Sequence, residues 1–226
     1  SYNVPGTLAV GSLSVGTGPI DYSAATIDIG ALSAPGTDVR LVATGALALG
    51  QTAGAASLDI DGGSVVAGDI AASGDISVLS GSDVDLASAA GGGSISIQLA
   101  GNLSFGLLDA AGDIAASAGG AINGGDLVAP GSITLDGARI AIGSATGGTL
   151  LLASQTDVLF DLLSSPNSIS VTATGGTIAG NTGAGLIETD GDLTLRARAI
   201  DLRDLTAGGT IDIAVTGTAL TLGTLD

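Results

Sequence analysis

The chain has 226 residues, 22 acidic side chains against five arginines, and a formal charge of −17 with no His, Cys, Met or Trp. Such a field repels nucleic acid, anionic lipid and heparin-like polymers, and the missing His and Cys exclude imidazole bases, thiol nucleophiles and the usual zinc sites from this stretch. Apolar residues reach 45% although aromatics are only 2%, so any core is built from Ile, Val, Leu and Ala; with one Glu and no Lys, no segment reads as an amphipathic helix.

The first apolar anchors are Leu8 and Leu13, and from Ile20 onward an anchor returns about every 19 residues, at Val39, Leu58, Ile76, Ile95, Ile114, Ile133, Leu150, Ile169, Leu193 and Ile211. A second series follows through Ile27, Leu47, Val65, Val84, Leu103, Ile122, Ile140, Val158, Ile178, Ile200 and Leu220. A patchier third series holds Leu32, Ile70, Leu108, Leu127, Leu163, Ile187, Leu205 and Leu225. Each anchor opens a period-two alternation, the pattern of a strand with one buried face. A fixed period in this range marks a solenoid in which each repeat packs on its neighbours. The spacing therefore predicts an all-β parallel β-helix of roughly 11 turns, three short strands per turn, with turns about 4.8 Å apart.

No proline-rich linker or charge block interrupts the period, so residues 1–226 read as one continuous domain. The one long interval, Ile169 to Leu193, places an extra loop near 181–185, at Asn181-Thr-Gly-Ala-Gly185. A chain that starts at Ser1 and holds no Met is expected to be a mature or excised piece of a longer protein. No apolar run approaches the length of a transmembrane helix.

Most acids read as a solvated surface. The column Asp38, Ser57, Asp75, Ser94, Asp113, Ser132 alternates acid with serine, which separates like charges on adjacent turns. Asp21, Arg40 and Asp59 form a column of alternating sign, and Arg139 is expected to neighbour Asp157.

Two groups of acids could carry chemistry. Asp83 and Asp85 flank inward Val84, about 7 Å apart, with Asn102 and Ser104 on the next turn; a carboxylate pair at that spacing suits glycoside chemistry. The same oxygens, or Asp59 and Asp61 ahead of Gly62-Gly63, are candidate Ca²⁺ ligands. The plainer reading is a solvated pair, because no catalytic residue stands out and the two Phe fall in inward columns. No other metal or cofactor is expected.

The recurring units Gly74-Asp-Ile-Ser-Val78, Gly93-Ser-Ile-Ser-Ile97, Gly131-Ser-Ile-Thr-Leu135, Gly191-Asp-Leu-Thr-Leu195 and Gly209-Thr-Ile-Asp-Ile213 resemble filamentous haemagglutinin-type adhesin repeats, the exoproteins of two-partner secretion. That resemblance implies a right-handed parallel β-helix, secreted or displayed on a bacterial surface and serving adhesion, biofilm formation or filament building. It covers nearly the whole chain and supplies no functional residue. The family's Asn-Pro-Asn secretion motif is absent, since Ser165-Pro-Asn-Ser168 departs from it. Two functions stay open: a non-enzymatic structural and adhesive rod, and a β-helix that binds or cleaves polysaccharide. Expected partners are further copies or further length of the same rod, stacked axially, and cell-surface or matrix glycans.

Overall fold

Alternation puts every second side chain on the same face of an extended strand, and the strands here follow it from turn to turn. A computed structural model describes residues 1–16, 18–182 and 185–226. The chain is all-β: parallel strands stack as a β-solenoid of about 12 turns of roughly 19 residues, with no helix among the described residues. The count exceeds the expected one because Tyr2 to Val4 pair in register with Tyr22 to Ala24, adding a face ahead of Ile20.

Packing divides the chain into two compact units, Ser1–Gly112 and Asp113–Asp226. In the first, β1 (Tyr2–Ser14), β2 (Ile20–Ser33), β3 (Val39–Ala53) and β4 (Leu58–Ala72) pair in succession. The start of β4 then pairs with β5 (Ile76–Ser80) and its end with β6 (Val84–Gly91), which continue onto β7 (Ile95–Leu99) and β8 (Leu103–Ala110).

The second unit holds β9 (Ile114–Ala118), β10 (Ala121–Gly137), β11 (Arg139–Ala141), β12 (Ser144–Ser154), β13 (Val158–Phe160), β14 (Leu162–Ser165), β15 (Ser168–Gly180), β16 (Leu186–Thr189), β17 (Asp192–Ala207) and β18 (Ile211–Leu225). Its columns run β9–β10–β12–β15–β17–β18 on one face, β11–β13–β15 on the second and β12–β14–β16–β17 on the third.

The three anchor series are the three inward columns. Ile76, Val84 and Ala89, for example, are each 1% exposed or less. The second and third faces often share one strand. In β6 the alternation slips by one residue at Ala87-Ser88, which turns the corner without breaking the strand. Because strands of a parallel sheet exchange backbone hydrogen bonds with both neighbours, each turn is held by the one before and after it.

The first face is wider than expected. A third inward position, Ala24, Ala43, Gly62, Ser80 and Leu99 in the first unit, closes it at the corner. Apart from Leu99 the side chains there are small, and a buried hydroxyl needs a partner. Ser154, the equivalent residue of the second unit, has its one O–H within reach of the Ala138 and Asp157 carbonyls, both at 3.1 Å, and accepts from the Thr156 N–H at 3.1 Å. Ser165 does similar work on the third face, donating to the Gly148 carbonyl at 2.7 Å.

Where the extra loop is expected, Phe160 pairs with Gly180 and Leu162 with Leu186, so the two pairs are one residue apart on one turn and five residues apart in sequence on the next. Of that loop, Gly183 and Ala184 lie outside the described residues.

Candidate functional site

Asp83 and Asp85 are both exposed and flank buried Val84, on one side of β6. Asp83 Oδ1 accepts the backbone N–H of Asn102 at 2.7 Å and its side-chain amide at 3.2 Å. Asp85 lies opposite Ser104 in the same register. Asp59 is drawn to Arg40, at 3.2 Å, and Asp61 stands one column away, opposite Leu79. The structure thus brings Asp83 and Asn102 together. Among the described residues no three acidic, His or Cys side chains are grouped to hold a metal ion.

The Asp83–Asn102 contact recurs. Asp75 Oδ1 accepts the Ser94 N–H at 2.8 Å, Asp113 that of Ser132 at 2.6 Å, Asp126 that of Ser144 at 3.1 Å, Asp157 that of Thr177 at 2.9 Å, Asp161 that of Thr182 at 2.8 Å and Asp192 that of Thr210 at 2.7 Å. In each case an aspartate beside an inward anchor reaches one turn along the stack. There it takes a backbone donor of the next turn, which a charged acceptor does more strongly than a neutral one. The alternation of Asp with Ser therefore does more than dilute charge. The Ser132 and Ser144 hydroxyls add second hydrogen bonds at 2.9 and 2.7 Å, and Ser57 donates its hydroxyl to Asp38 at 2.7 Å.

Glycine makes room for this reach. The residue before the captured N–H is Gly93, Gly101, Gly131, Gly143, Gly176 or Gly209 in all but the Asp161 case. A Cβ on Gly93, Gly101, Gly143, Gly176 or Gly209 would meet the capturing carboxylate oxygen at 3.0 Å or less. The pairing of an Asp with a Gly-Ser, Gly-Asn or Gly-Thr about one period later is the signal that composition alone did not reveal.

Hydrogen bonds from the Ser132 backbone and hydroxyl hold the Asp113 carboxyl below the ordinary carboxylate value. The arginines are tied to acids in part. Arg40 sits between Asp21 at 3.8 Å and Asp59 at 3.2 Å, as the alternating column requires, and Arg196 meets Asp212 at 3.0 Å. Arg139 and Asp157 stand on successive turns as expected, Ile140 pairing with Val158, without an ion pair between their side chains. The Asp157 carboxylate faces Thr177, and Arg139 donates to the Asn123 side-chain carbonyl at 3.4 Å, because the backbone donor on the following turn is held in place at no entropic cost to a long side chain.

The surface hollows are shallow and follow the corners. One of about 460 Å³ lies along Asp157, Gly176, Arg198 and Gly217, and one of about 380 Å³ along Ser14, Ser33, Gln51 and Asp69. Neither includes Asp59, Asp61, Asp83 or Asp85. No helix of the described residues is long and apolar enough to cross a membrane.

Comparison with protein-family models, with characterised proteins and with solved structures finds no match for this chain.

Proposed function

We propose that this chain is a structural and adhesive element of an extracellular protein, the shaft of a filamentous haemagglutinin-type surface adhesin or the repeating unit of a filament. In this reading it is secreted or held at a bacterial surface, it is not an enzyme, and it needs no cofactor. The observation that carries the reading is the aspartate ladder. Seven aspartates, with Asp83 of the candidate pair among them, are each directed to a backbone N–H of the adjacent turn, whereas a glycosidase would aim two carboxylates at one bond.

Composition supports the same role. A chain without Cys, Met or Trp lacks the side chains that oxidants attack first, which suits a material exposed outside a cell. Axial contact completes the proposal: β1 pairs with β2 and β18 with β17, and a parallel strand added to the outer edge of either continues the same hydrogen-bond ladder. That strand belongs to more of the same protein or to another copy.

Beads coated with the chain and laid on bacterial layers, epithelial cells and immobilised matrix glycans test the proposal. Retention with the glycan chains left at full length is the expected result. Shortening of the glycans by the native chain, lost in the Asp83→Asn/Asp85→Asn variant, overturns it in favour of a polysaccharide-cleaving β-helix. Retention on none of these surfaces removes the adhesive part of the reading.

A further inference from the structure

We propose that the aspartate ladder is an acid-sensitive latch, holding successive turns of each unit in register when its carboxylates are ionised and releasing them when they are protonated. The geometry carries this. Seven aspartates each accept a backbone N–H from the next turn, and five of the glycines preceding those donors have no space for a Cβ beside the carboxylate. An ionised carboxylate is an acceptor only, whereas a protonated one carries a donor that an N–H cannot use, so protonation weakens each contact. With no His in the chain, carboxylates are the side chains that lose charge as pH falls from neutral into the acid range, at roughly pH 4 for an ordinary carboxyl.

The charged surroundings of the latch are sparse. Asp75 lies diagonal to Asp59 of β4 in the preceding turn, with Ser94 just ahead of β7 and Ser96 on it in the next. Asp83 has Asp85 beside it, with Asn102 just ahead of β8 and Ser104 on it. On β10, Asp113 faces Ser132, and Asp136 is the acid further along that strand. Asp126 faces Ser144 on β12, and Asp161 faces Thr182. Asp157 has Arg139 ahead of it and shares its hollow with Arg198. Asp192 follows Asp190 on its own side and meets Thr210, with the Arg196–Asp212 pair beyond. Asp75, Asp83 and Asp126 have no salt bridge to an arginine, and the backbone N–H contact is what a latch carboxylate loses on protonation. The lowered value at Asp113 agrees with this direction.

A competing effect runs the other way, since acid also discharges a formal −17 and relieves repulsion across the chain. The test therefore reads the latch itself. In the intact native chain, backbone N–H signals of Ser94, Asn102, Ser132 and Thr210 are followed by NMR from pH 7 to pH 3, and their hydrogen-exchange rates are corrected for intrinsic pH dependence. The latch predicts that these signals titrate with the carboxylates and that their protection falls at least tenfold further than that of inward amides such as Ile97 and Leu195. Protection that stays level through the carboxylate titration overturns it.

A second measurement uses the Asp75→Asn/Asp83→Asn/Asp192→Asn variant, whose amide oxygens accept without titrating, beside the Asp61→Asn/Asp85→Asn/Asp136→Asn control. With three of the seven contacts made insensitive to pH, the latch variant is expected to lose a measurable part of the acid-induced fall in urea midpoint and the control to keep it. Equal loss in both variants assigns the effect to net charge and overturns the latch. If the latch variant does not fold, the native-chain titration decides alone.

Discussion

Asp83 and Asn102 lie one turn apart, and a single carboxylate oxygen of Asp83 accepts both the backbone and the side-chain N–H of Asn102, at 2.7 and 3.2 Å. Gly101 immediately precedes the captured residue, and a Cβ there would collide with that oxygen. The relationship ties three residue types to one function, the register of adjacent turns.

Gly101→Ala should therefore destabilise the chain. Overpacking costs about 1–3 kcal/mol, which exceeds the roughly 0.4–1 kcal/mol returned by a stiffer unfolded chain. Gly81→Ala, where the nearest atom stands at 3.4 Å, should be close to neutral. Urea denaturation checks both. In the double variant Asp83→Ala/Gly101→Ala the contact with the carboxylate disappears while those with the Ser82 carbonyl carbon and the Asp83 backbone nitrogen, at 2.7 and 2.9 Å, remain, so most of the Gly101→Ala loss should persist.

Inward and outward register predicts opposite outcomes for neighbouring residues. Ile97 is 2% exposed and Ser96 faces out. Ile97→Asp puts a carboxylate in an apolar column without a partner and should cost several kcal/mol, roughly 3–5, or prevent folding. Ser96→Asp should change stability by no more than about 0.5 kcal/mol. Equal midpoints for the two variants would refute the register.

Ser154→Ala removes a hydroxyl that joins two carbonyls and one N–H at the corner. Since those groups are partly buried, the loss should be about 1–2 kcal/mol. Thermal unfolding of the variant measures it, and an unchanged midpoint would show that water replaces the hydroxyl.

The pH dependence of Asp113 has a defined sign. Its folded carboxyl is held below the ordinary value by the Ser132 backbone and hydroxyl. Its stabilisation is then complete above the unfolded carboxylate value and is lost as pH falls through the folded one. Asp113→Asn should remove that part of the acid dependence while Asp136→Asn does not, as read by unfolding at pH 7 and below pH 4.

Calcium should add little to this fold. The candidate ligand Asp83 already has two N–H donors on one oxygen, and Asp59 is turned to Arg40. Calorimetric titration of the native chain with Ca²⁺ should show no saturable site, and a site lost with Asp83→Asn/Asp85→Asn would restore the metal reading.

Much of the fold was legible in the sequence because a stacked strand exposes its period directly. Ile20, Val39 and Leu58 are partners in one column because they are one turn apart, and the Asp21–Arg40–Asp59 column follows from the same count. The inward third position through Ala43, Gly62 and Ser80 was less legible, since Ala, Gly and Ser are equally at home on a solvent face or in a corner. Arg139 and Asp157 were placed on adjacent turns correctly, yet spacing could not say that Thr177 would take the carboxylate.

Periodicity, composition and charge by themselves determine the solenoid, its three apolar columns and its acidic exterior, because these depend on which residues recur at one turn's distance. What each exposed aspartate does was decided only by tertiary structure. A carboxylate at the surface finds water, an arginine or a backbone donor within the same few ångströms, and the choice depends on the direction of the Cα–Cβ bond and on the space beside the next turn. Gly93 and Gly101 supply that space, and it exists only once the turns are stacked.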